Sequence, residues 1–142
     1  MPIALSNDCD VFYETLGGDG GSGSGDPLVL IPGFASGAWI WFRQVEALAR
    51  DFRVITFDPR GVARSKFDET SAPPNVRMRV FAEDLAKLLD CLKIEKAHVL
   101  GASFGGFVAQ ELALRFSERV NKLVLACTSF GGARHVPPEP DF

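Results

Sequence analysis

The chain has 142 residues, 46% of them hydrophobic and 23% charged, with a formal net charge of -3 at pH 7. That length suits one domain around a single core, and the mild acidity excludes the basic footprint of a nucleic-acid or anionic-membrane binder. No run reaches the ~20 apolar residues of a bilayer span, and the N-terminus lacks the basic-then-apolar layout of a signal peptide. Cys9, Cys91 and Cys127 are odd in number, widely spaced and form no metal-like C-x-x-C, so reduced, structural thiols in a cytoplasm are expected.

Taken in order, Ile3 to Leu5 and Val11 to Thr15 read as two short strands about a turn at Ser6-Asn7-Asp8, an antiparallel hairpin at a sheet edge. Residues 17–25 form a Gly/Ser stretch read as a flexible loop. A phosphate-cradling loop would need a strand before it and a helix after it, whereas a strand follows here. Leu28 to Ile31 is a continuous apolar run suited to a buried parallel strand, ending at Pro32-Gly33-Phe34-Ala35-Ser36-Gly37. The spacing of Trp41, Val45, Leu48 and Ala49 predicts a helix over about Ile40 to Arg50, and Arg53 to Phe57 predicts the next strand.

That strand leads into Asp58-Pro59-Arg60-Gly61-Val62-Ala63-Arg64-Ser65, then a polar, Pro-rich loop to Asn75. Phe81, Leu85, Leu88, Leu89 and Leu92 mark a helix over roughly Arg79 to Leu92. Ala97 to Leu100 reads as a buried strand, Phe107 to Phe116 as a helix, and Lys122 to Ala126 as a further strand. From Leu28 onward strand and helix alternate, which implies a parallel sheet with helices on both faces and chemistry at the carboxyl ends of its strands. Phe34, Asp58, Ser103 and Thr128 fall just past strand ends and so share one rim. Gly131 to Phe142, with three prolines and no period, reads as an irregular exit.

Between the fifth strand and its helix lies Gly101-Ala102-Ser103-Phe104-Gly105-Gly106. A serine in a sharp strand-to-helix turn stands proud of the sheet, and such a turn leaves no room for side chains at 101 and 105. The helix that follows aims its free N–H groups and positive dipole end at the spot where an oxyanion would form.

Three motifs together make the chain resemble the N-terminal half of an α/β-hydrolase of the capped esterase, lactonase and C–C hydrolase type. They are the serine turn, the Asp58–Ser65 loop as D-x-R-G-x-G-x-S with Ala63 at the second glycine, and Pro32-Gly33-Phe34 where the family commonly has His-Gly-x. The resemblance implies that Ser103 attacks a small ester, lactone or related acyl substrate, with the N–H groups of Phe34 and Phe104 as oxyanion donors. Gly101, Gly105 and Gly106 would shape the elbow. Asp58, Arg60 and Ser65 would brace the loops below the site, direct substrate contact being the other reading. No metal or organic cofactor is implied.

In that family the acid and the histidine follow the serine on later strands, and this chain is expected to stop short of them. Its two histidines are His98, at the wrong end of the elbow strand, and His135. The latter follows the last strand with Glu139 and Asp141, as a substitute base or as an exposed loop residue. A sheet stopping after residues 122–127 would also expose an edge for a second copy or a complementing C-terminal fragment, so a non-catalytic half-domain acting in binding or assembly stands as the alternative.

Overall fold

The computed structural model describes residues 3–6, 9–18, 25–67 and 77–132. Seven strands, β1 (Ile3–Ser6), β2 (Cys9–Leu16), β3 (Pro27–Ile31), β4 (Arg53–Phe57), β5 (Lys66–Phe67), β6 (Ala97–Ala102) and β7 (Val120–Ala126), form one sheet. Its order is β1-β2-β4-β3-β6-β7, with β5 paired to β2. The hairpin is antiparallel, β2 joins β4 antiparallel, and β4, β3, β6 and β7 run parallel.

The helices are α1 (Val45–Leu48), α2 (Met78–Cys91) and α3 (Phe104–Arg115). Among the described residues no helix is long and apolar enough to cross a membrane. Alternation along β3 sends its side chains to two separate cores. Val29 and Ile31 join Leu85, Leu88, Leu89 and Leu112 under α2 and α3, whereas Leu28 and Leu30 pack with Trp41 and Val54 on the opposite face. Helices therefore cover both faces, as the alternating pattern requires.

The expected helix over residues 40–50 is instead broken. A 3-10 turn at Ala38–Trp41 precedes the single turn of α1, with Gln44 N–H bonding back to the Trp41 carbonyl. Two anchors account for the tighter winding. The Ala38 N–H donates to Asp58 and the Trp41 ring is buried against the sheet, yet Val45, Leu48 and Ala49 still reach the same core. β5 is a second departure, since Lys66 and Phe67 pair with Asp10 and Cys9 where a loop is expected. α3 starts three residues before its apolar period because Ser103 is its N-cap and the two glycines form its first turn. Asn7, Asp8, most of the Gly/Ser stretch (19–24), the Pro-rich loop (68–76) and the exit segment (133–142) lie outside the described residues.

Candidate active site

Register brings the strand ends level, because Ile31 pairs with Gly101 and Gly101 with Leu125. Pro32, Asp58, Ser103 and Cys127 consequently emerge on one rim. Ser103 takes a φ of 52°, a sparsely populated conformation that costs about 1–3 kcal/mol and persists only where its surroundings impose it.

Those surroundings are visible. The Ser103 N–H donates to the Ala126 carbonyl at 2.9 Å, and the Gly106 N–H donates to the Ser103 carbonyl at 2.9 Å. A Cβ on Gly105 would run into the carbonyl oxygens of Ile31 and Pro32, and one on Gly101 would strike the Gly105 carbonyl. Gly106 lies equally close under the Thr128 side chain. The turn is thus wedged between its own strand and β3. Ser103 is exposed and makes no side-chain capping bond to α3, so among the described residues its hydroxyl has no partner. Nor do the N–H groups of Phe34 and Phe104 have one among the described residues.

The loop after β3 abuts the serine, since a Cβ on Gly33 would sit 3.7 Å from Ser103 Cβ. Three phenyl rings tie this loop to the helices. Phe34 meets Phe104 edge to face at 5.8 Å, and Phe104 meets Phe81 of α2 at 5.2 Å. Beside them opens a cleft of about 470 Å³, walled by Gly33, Phe34, Val62, Met78, Phe81 and Phe104.

Below the rim Asp58, Arg60 and Ser65 are buried and committed to protein partners. Asp58 accepts from the Ala38 N–H at 2.8 Å and from Arg64 Nε at 2.8 Å. Burial alone would push its carboxyl up, but the hydrogen bonds from the Arg64 side chain and from the Ala38 and Arg64 N–H groups, with the Arg64 charge, hold it below the ordinary value of 3.8. Arg64 in turn bonds Glu14 at 2.9 Å and lies 3.5 Å over the Phe12 ring. Ser65 Oγ donates to the Asp58 carbonyl and accepts from the Phe12 N–H. Arg60 forms a bidentate pair with Asp84, both bonds 2.6 Å and its side chain 0% exposed.

Ala63 has a φ of 46°, so the position where the family pattern has glycine is left-handed here. His98 sits near the amino end of β6, 3.4 Å from Asp26 and 3.3 Å from Asn121, at the edge of the sheet opposite Ser103. It is the one histidine among the described residues; His135, Glu139 and Asp141 lie outside them. Among the described residues no three His, Cys, Asp or Glu side chains gather as a metal site would require.

Sequence reasoning passed over Asp84, Arg64 and the ring cluster. Asp84 did leave a signal, being an acid on the apolar stripe of its helix between Phe81 and Leu88. Phe81 left none, because a phenylalanine on that stripe reads as core.

A family model for the alpha/beta hydrolase fold matches residues 26–142. Over 125 residues the chain is 38% identical to the putative carbamate hydrolase RutD of Azorhizobium caulinodans, covering 88% of this chain and 43% of that protein. Among solved structures it is similar to Est816, described as an N-acyl homoserine lactone degrading enzyme. There the TM-score is 0.80 at 28% identity, over 97% of this chain and 49% of the other. The enol-lactonase from Burkholderia xenovorans LB400 gives a TM-score of 0.80 at 30% identity, over 90% of this chain and 47% of the other. The chain spans a little under half the length of these relatives.

Proposed function

The chain belongs to the alpha/beta hydrolase fold family, and on that premise we propose that Ser103 is the nucleophile of a hydrolase acting on small ester, lactone or related acyl substrates. The carrying observation is Ser103 itself, exposed, held at a positive φ at the head of α3, its hydroxyl unbonded among the described residues. In the proposed reaction Ser103 Oγ attacks the acyl carbon while its proton passes to a base, and the carbonyl oxygen gathers negative charge. The N–H groups of Phe34 and Phe104 would receive that oxyanion, each such donor being worth roughly 10²–10³ in turnover. The alcohol leaves with a proton, and water then hydrolyses the acyl-serine. The base belongs to residues beyond those described, and His135 is the candidate on this chain. Pro32 in place of histidine leaves the main-chain donors intact. The wide spacing of Cys9, Cys91 and Cys127, with no C-x-x-C, supports a cytoplasmic setting.

Intact-mass measurement after exposure to a fluorophosphonate tests this reading. One adduct on the chain, lost in Ser103→Ala, is expected; a folded chain that takes no adduct refutes it.

One observation favours a second reading, in which the chain acts as a binding or assembly module. β7 is open on both faces, with Leu123, Val124 and Leu125 all exposed. On that reading β7 pairs with a second copy or a complementing chain, and light scattering that stays monomeric at high concentration counts against a second copy.

A further inference from the structure

The two residues beside Ser103 whose N–H groups have no partner among the described residues also put their side chains into one wall. Phe34 and Phe104 are in edge-to-face contact, Phe81 continues the series from α2, and Met78 and Val62 complete an apolar surface. Gly33 borders both this cleft and Ser103 Cβ, and Phe104, the residue after the serine, lines it, so the cleft lies beside the serine without Ser103 forming part of its wall. Its volume, about 470 Å³, falls within the range of small-molecule sites. Charge decides what enters. Among the described residues Arg60 is the one charged member of the lining, and its side chain is wholly buried against Asp84. A carboxylate set against these apolar walls would give up part of its hydration and find no unpaired counter-charge among the described lining residues. An aromatic ring would extend the edge-to-face series.

We propose that this cleft is the acyl pocket and that it selects an uncharged acyl group of aryl size, rejecting short acyl groups that carry a carboxylate. The assignment rests on Ser103 being the nucleophile, and its test separates the two.

The test titrates the full chain with phenylacetamide and with succinamate by NMR, in the wild type, Ser103→Ala and Val62→Trp, alongside fluorophosphonate labelling. Phenylacetamide is expected to bind roughly tenfold or more tightly than succinamate in both the wild type and Ser103→Ala. Val62→Trp, which fills the cleft from a half-buried position, is expected to weaken phenylacetamide by a similar factor. Val62→Asp is the companion should the larger residue not fold, and it weakens the same ligand by setting a carboxylate in the wall. Equal binding of the two amides, or indifference to both Val62 variants, overturns the pocket. Selective binding without any adduct supports the pocket's selectivity and removes the nucleophile.

Discussion

β3 and β7 are the two parallel neighbours of the strand that carries Ser103, and they could hardly differ more. β3 is buried on both faces, and the loop leaving it is pressed against the elbow through Gly105, tied by the Phe34 and Phe104 rings, and stapled to Asp58 through Ala38. β7 is open along its length. It reaches the elbow through the Ala126 carbonyl, the Thr128 side chain over Gly106, and a bond from Gln110 to the Ser129 carbonyl. Ser103 therefore stands at a boundary, with a strand buried on both faces to one side and an exposed strand to the other. The elbow is held from both sides, through Gly105 against β3 and through the Ser103 N–H and Gly106 against the chain leaving β7.

The sharpest way to break this contrast is to remove one partner of a charge pair on the packed side. Arg60→Leu removes both 2.6 Å bonds to the buried Asp84 carboxylate, and urea unfolding should register a loss of about 3–5 kcal/mol. Next in size is Asp58→Asn, which weakens the staple on the Phe34 loop and should cost about 2 kcal/mol. It should also change the pH response. The folded-state pKa of Asp58 is depressed, so its contribution is present above the unfolded value near 3.8 and is lost as pH falls below that through the folded value. An acid limb of stability in the wild type that is reduced in Asp58→Asn is the expected pair of curves.

Ala63→Gly works in the other direction. With φ at 46° the alanine is strained, so glycine should stabilise by about 0.5–1 kcal/mol, read as a shift in the urea midpoint. The smallest effect belongs to the open side. Val124 is 51% exposed, and Val124→Lys should change stability by no more than about 0.5 kcal/mol while lowering any self-association seen by light scattering.

This contrast also marks what the sequence made legible. Leu28–Ile31 is a strand in sequence and in structure, because a strand buried on both faces must be apolar without interruption, and Ala97–Leu100, interrupted by His98, is a strand in both as well. α2 was equally plain from its period, and the serine turn from its glycines. The break at residues 38–48 was not, since Trp41, Val45, Leu48 and Ala49 keep helical spacing although the backbone between them is not one helix. What fixes that break is Asp58, twenty residues away from Ala38. The Arg60–Asp84 pair and the Phe34–Phe104–Phe81 series share this character, being contacts between elements that no local period encodes. Ala63 was the converse case. A departure from the family pattern was visible, but its meaning depended on a backbone angle.

The register of β3 has a further consequence, for synthesis on the ribosome. β3 is completed between β4 and β6, and its partner positions on β6, such as His98 opposite Leu28, lie about 70 residues downstream. At a translation rate of roughly 5–20 residues per second, that edge waits about 4–14 seconds for its neighbour. During that interval Leu28, Val29, Leu30 and Ile31 form an unpaired apolar template. A nascent chain of this design offers a holding chaperone a binding window that closes when β6 emerges.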